Sequence, residues 1–192
     1  MISEVIMIKN TDVETVLELA GYHFQELIMA FAKAEETILM GQEDDYYGFT
    51  NTNSVVRAGL FFAAYSYFEG SLFLVCENLY NPNVRITVKD LSGNGIEKYK
   101  VYIEKVLLLD FPKESPEWSK LNFLNTIRNH MIHNGASYKE VNPKVSKAVS
   151  QFEGITINKH NRVEITTNDF IRDEVLFTMH RFLELLMDSI KK

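Results

Sequence analysis

Residues 118–135 read WSKLNFLNTIRNHMIHNG, and the spacing within them decides how the chain folds. Leu121, Leu124, Ile127 and Met131 recur at steps of three or four, which places them on one stripe of a helix and predicts that this stripe is buried. Asn122, Asn125, Asn129 and His133 keep the same rhythm on a second, polar stripe, where Asn129 and His133 are neighbours one turn apart. Arg128 lies about 140° around the axis from His133, yet its long stem can reach the polar side. Upstream, Ser115-Pro116-Glu117 is a start signal, with a capping serine, proline at the first helical position and an acid in the first turn. Downstream, Gly135 supplies the left-handed residue that commonly ends a helix. That leaves His133 in the last turn, where the helix dipole favours a cation.

The flanking segments look like scaffold. Ser54 to Tyr80 is apolar almost all round, as the central helix of a bundle should be. A membrane span over Ala58–Cys76 is the rival, but Glu69, with Ser66 and Ser71 beside it, would be costly in lipid, and no second span accompanies it. Glu69 in such company needs a partner: it either braces Arg128 or another base of the 118–135 helix, or it sits at an exposed edge. Gly70, costing about 1 kcal/mol relative to alanine inside a helix, points to a close approach by another backbone. Further out, Thr11 and Glu14 form a capping box for a first helix to about residue 40, and residues 41–53 form a polar connection. Gly93-Asn94-Gly95 turns into a third helix over 96–109. Asn142-Pro143 opens a short helix to about Phe152. Ile155, Ile157, Val163 and Ile165 alternate around a turn at 158–161, the pattern of a hairpin, and Asn168-Asp169 begins a last helix. With no internal repeat or low-complexity tract, residues 1–192 are expected to form one domain, an all-α antiparallel helical bundle with a small β-hairpin before the last helix.

Composition narrows the function classes. A chain of 192 residues, 46% hydrophobic and 24% charged, can bury its own core. Cys76 is the only cysteine, so no disulfide framework or cysteine-based zinc site is available, and a reducing cytoplasm is the natural location. The opening MISEVIMIKN lacks a basic region followed by a long apolar core, so no secretory signal is expected. The net charge of −6 argues against nonspecific coating of nucleic acid, but residues 98–147 hold nine Lys or Arg against five acids. A locally basic face around the motif is one reading, and a solvated helix surface is the other. No phosphate-cradling glycine motif and no aromatic RNA-binding strand signature occurs.

Arg128, Asn129 and His133, spaced R-N-x-x-x-H near the end of a helix that opens with Trp118, resemble the signature of the HEPN superfamily. The Phe68-Glu69 pair, the run from Gly95 to Val106, and the hairpin leading into a last helix extend the resemblance loosely over about residues 55–190. It implies a HEPN-like helical bundle, and activity as a metal-independent endoribonuclease in which RNA's own 2′-hydroxyl attacks the adjacent phosphorus. It also implies a toxin or antiviral defence role, with an antitoxin protein as a partner. Arg128, Asn129 and His133 would be the catalytic residues, with no cofactor, no metal and no membrane involved. The alternative is a non-catalytic HEPN-like module that dimerises and binds RNA, a nucleotide or a protein. A third reading makes Arg128 a structural partner of an acid such as Glu69, with His133 merely capping the helix.

The residue types suit the first reading. Histidine titrates near neutrality and can move the proton at the attacking or leaving oxygen. Arginine stays charged and matches phosphate geometry. Asn129 would orient the imidazole or hold a phosphate oxygen. One chain supplies one motif histidine, whereas acid and base roles divide most easily between two, so a homodimer with the Arg128 helices near its axis is expected. His130 is either a second proton carrier or a solvent-facing residue, and the HxxH pair lacks a neighbouring acid or cysteine to complete a zinc site. Cys76 is expected to be an inert core thiol, His23 a surface or packed residue, His160 a surface residue and His180 a packing residue.

Overall fold

The computed structural model describes residues 15, 22–23, 25–34, 52–79, 84–93, 95–134 and 140–190. Helical residues 25–34 belong to α1, followed by α2 (Thr52–Asn78) and α3 (Ile96–Val101), which widens into a π-turn over Tyr102–Val106. Then come α4 (Pro116–Asn134), α5 (Pro143–Val149), β1 (Ile155–Ile157) and β2 (Val163–Ile165). The last helix, α6, begins with π-turns over Phe170–Leu176 and continues regularly over Phe177–Ile190. The chain is an all-α bundle with a small antiparallel hairpin ahead of its last helix. The Thr11–Glu14 cap, the 41–51 connection and the Gly135 cap lie outside the described residues.

α2 is the central helix because its buried positions, Phe61, Ala64, Tyr65, Phe68, Leu72, Val75, Cys76 and Leu79, follow the helical repeat. By length and composition Asn53–Asn78 could also cross a membrane. In this fold one face is packed in protein, while Val55, Tyr67 and Leu74 remain exposed. α1 lies beside it, with His23 packed 5.3 Å from the Tyr67 ring.

A continuous aromatic chain fixes the arrangement. Phe152 meets Phe170 at 5.7 Å, Phe170 meets Phe61 at 6.0 Å, and Tyr65 lies between Phe61 and Phe68 at 6.2 and 6.3 Å. Phe68 continues to Phe182 on α6, which touches Phe111 and Trp118 at the start of α4. Edge-on pairs of this kind add about 0.5–1.5 kcal/mol each beyond their area.

α4 starts where the sequence places it, with the Trp118 amide donating to Ser115 Oγ at 3.1 Å. Leu121, Leu124 and Ile127 are fully buried. Met131 is only half-buried, against expectation, because the last turn of α4 faces an open groove rather than the core. The contacts show that α4 runs antiparallel to α2: Arg128 meets Glu69 and Tyr65, while His130 and Met131, further along α4, face Phe62 and Ala58, earlier on α2.

The hairpin pairs Ile155 with Ile165 and Ile157 with Val163. Asn158 closes its turn, its side-chain oxygen accepting from the amides of His160 and Arg162. α5 ends at Val149 rather than near Phe152, which reaches the core from the following turn. The third helix likewise stops short of residue 109, at Val106 with Leu107 as its cap, and Leu108 turns out with φ +58°. His180 is exposed beside Glu184 rather than packed.

Among the described residues Gly70 has no neighbour within 4 Å of where a β-carbon would stand, so none of them makes the close backbone approach expected there. Gly154, at φ +75°, is the glycine the fold requires, since a β-carbon would fall 2.1 Å from Thr167 Oγ1. In urea unfolding, Gly70→Ala should therefore stabilise the protein by about 0.5–1 kcal/mol. Gly154→Ala should cost about 2 kcal/mol or more.

Candidate functional site

The antiparallel crossing of α2 and α4 brings together residues 59 and more positions apart in sequence. The Arg128 guanidinium lies over the Tyr65 ring, 5.6 Å from its centroid, and Arg128 Nη2 is 3.8 Å from Glu69 Oε2. Arg128 Nη1 donates to Asn129 Oδ1 at 2.9 Å, and Asn129 Nδ2 donates to Asn125 Oδ1 at 3.2 Å. Gly95, at the start of α3, borders the cluster: a side chain there would reach 3.6 Å from Asn125 Oδ1 and 3.9 Å from Glu69 Oε1. Glu69 thus has the partner its apolar surroundings demand, and that partner is Arg128.

The charge pair is set at an edge. The side chains of Arg128 and Glu69 keep 26% and 22% of their exposure, so an incoming anion can reach the guanidinium. A guanidinium carries five N–H donors, and the contacts to Asn129 and Glu69 leave others for a ligand. Burial raises the Glu69 carboxyl above its usual range, and the charge of Arg128 only partly opposes this. Beneath them Tyr65 is fully enclosed, and among the described residues its hydroxyl has no hydrogen-bond partner. Burial, reinforced by the Glu69 charge and opposed by Arg128, pushes that phenol far up. Tyr99 is raised in the same way, by burial first and the Glu69 charge second.

The structure separates the motif residues as well as joining them. Asn129 is engaged by Arg128 and Asn125 rather than by an imidazole, so in the free chain it positions the guanidinium. His133 is exposed on the last turn of α4, and among the described residues no hydrogen bond joins it to Arg128 or Asn129. His130 does not face bulk solvent: it is half-buried, its pKa is lowered by burial, and it lines a groove between α2, α4 and the hairpin. Cys76 is buried and its thiol is pushed up to about 12 by desolvation, an inert core residue.

Within the basic stretch, Lys100, Lys113 and Lys120 pair with Glu97, Glu104 and Glu174. Lys105, Lys144 and Lys147 stay exposed. Among the described residues no three His, Cys, Asp or Glu side chains are grouped as a metal site. Sequence alone passes over Tyr65 and leaves Asn125 on the polar stripe without a site role, although each stands four residues before a residue it singles out, Glu69 and Asn129. Comparison with family models, curated proteins and solved structures finds no match to this chain.

The raised Glu69 carboxyl has a signed consequence. Its folded pKa exceeds the unfolded one, so the native state holds the proton more tightly, and stability is highest below the unfolded value. It falls as pH rises through the folded value. Glu69→Gln should flatten this part of the stability–pH curve, which opens above the unfolded value of about 4, measured by urea unfolding. A mutant as pH-dependent there as the parent would contradict the assignment.

Proposed function

We propose that the protein is a metal-independent endoribonuclease of HEPN type. The observation that carries this reading is the Arg128 guanidinium, stacked on Tyr65 and held by Asn129 and Glu69 at a solvent-reachable edge, with exposed His133 further along the same helix. In the reaction a 2′-hydroxyl loses its proton, a bond forms from the 2′-oxygen to phosphorus, and the bond to the 5′-oxygen breaks. That leaving oxygen takes up a proton. The products carry a 2′,3′-cyclic phosphate and a 5′-hydroxyl. Arg128 neutralises charge accumulating on the phosphate, and His133 moves a proton.

Because each chain presents one exposed motif histidine, a homodimer joining two such edges supplies both acid and base. Ile132, exposed next to His133 on α4, gives that edge an apolar contact point. The HEPN resemblance places the activity in a toxin or defence setting with an antitoxin partner.

The Arg128–Glu69 pair also favours a second reading. A guanidinium already neutralised by a carboxylate can serve binding or packing alone, as in a non-catalytic dimerising module that holds RNA, a nucleotide or a protein. The two readings separate under substitution. Arg128→Ala and His133→Ala should each lower RNA cleavage by about 10²–10⁴-fold, with the parent's melting temperature retained in His133→Ala. Cleavage products are read by end-group analysis in the presence of EDTA. Parent protein that leaves several RNA classes intact, or mutants that cleave like the parent, would support the binding module instead.

A further inference from the structure

The groove beside His130 is unused by the scheme above. It holds about 170 Å³ and is lined by Ser54, Val55, Ala58 and Phe62 of α2, His130 and Met131 of α4, and Arg162, Val163 and Glu164 of the hairpin. That volume is below the range of a drug-sized pocket, and suits one planar ring system whose substituent leaves through the open side. Its walls divide by chemistry. Val55, Ala58, Phe62, Met131 and Val163 give an apolar slot, and Phe62 and the His130 ring supply π surfaces of the kind on which unpaired bases stack.

The polar end is ordered. Asn158 Nδ2 donates to Glu164 Oε1 at 2.6 Å, and the Asn158 side-chain oxygen holds the backbone amides of His160 and Arg162. One residue therefore fixes the carboxylate and the backbone of Arg162 together. Glu164 Oε2 and the remaining lone pairs can accept from a ligand, while the guanidinium of Arg162 can only donate. Burial keeps His130 neutral near pH 7, able to accept or donate one hydrogen bond.

We propose that this groove is a nucleobase subsite that prefers guanine. Guanine offers two adjacent N–H donors on its pairing edge, which a carboxylate accepts together, and its O6 and N7 acceptors match an arginine. Adenine and the pyrimidines offer fewer N–H donors to the carboxylate or fewer adjacent acceptors to the arginine, so each makes fewer of these hydrogen bonds. The site's position relates it to the motif. His130 lies about 200° around α4 from Arg128 but only about 60° from His133, so a base in the groove sits on the His133 side of the helix. This part rests on the ribonuclease reading: the guanosine held there belongs to the RNA strand that approaches His133, outside the nucleotide whose phosphate meets Arg128.

The test separates the two ideas because binding does not require cleavage. Titration calorimetry with the full chain and GMP, AMP, CMP and UMP should show GMP binding at least tenfold tighter than the others. Ala58→Leu, which fills the slot with a helix-compatible side chain, should weaken GMP at least tenfold, and Glu164→Gln should erase its advantage over AMP. Circular dichroism checks that both variants fold. Equal binding of the four nucleotides, no binding of any, or parent-like GMP binding by folded Ala58→Leu overturns the subsite. Selective GMP binding without RNA cleavage keeps the subsite and removes the nuclease; cleavage that ignores base identity, with no GMP preference, does the reverse.

Discussion

The stacking of Arg128 on Tyr65 is the contact on which the site depends, because it joins the functional edge to the core. Tyr65 is a link in the aromatic chain from Phe152 to Trp118, so its ring cannot tilt without disturbing Phe61 and Phe68. A guanidinium resting on such a floor loses little further freedom when it meets a ligand, and a planar fork gains most from being preorganised. Asn129 and Glu69 then set the rotation of the fork from two sides. The fold supplies this rigidity through packing, at the crossing of its central apolar helix with the polar stripe of α4.

Much of the fold was legible in the chain. The Ser115 cap, the Leu121–Ile127 stripe, the hairpin and the apolar face of α6 all arise from local patterns, and they survive because packing reinforces them. Features set by tertiary geometry were harder to see. A mid-helix glycine such as Gly70 suggests a close neighbour, whereas among the described residues nothing stands within 4 Å of it. Met131 continues the apolar rhythm of α4, but the helix runs past the core and opens onto the hairpin groove.

The candidate site divides in the same way. The cost of an isolated carboxylate in an apolar helix leaves Glu69 either a base of the 118–135 helix or an exposed edge, and the structure gives it Arg128. His130 could not be placed, because an HxxH spacing gives the angle between two side chains and not what lies opposite them. What lies opposite is the hairpin, about thirty residues later in the chain. Sequence alone offers Asn129 either the imidazole or a phosphate oxygen. Its neighbour along the chain claims its oxygen instead, since an arginine beside an asparagine can donate to it without any turn of the helix.

The Arg128–Glu69 contact also sets the terms on which an anion could enter. At 3.8 Å with both groups partly exposed, the pair is long and screened, and exposed pairs of this kind contribute about 0–1 kcal/mol. A phosphate dianion or diester offering a direct, bidentate partner can outcompete that carboxylate at small cost. The desolvation that raises Glu69 works in the same direction, because a carboxyl that holds its proton more readily yields the guanidinium more readily. Glu69 therefore keeps Arg128 aimed and compensated in the empty protein without locking it. A tighter, fully buried pair would have withdrawn the cation from any ligand, and an unpaired arginine would have been left to swing on its flexible stem.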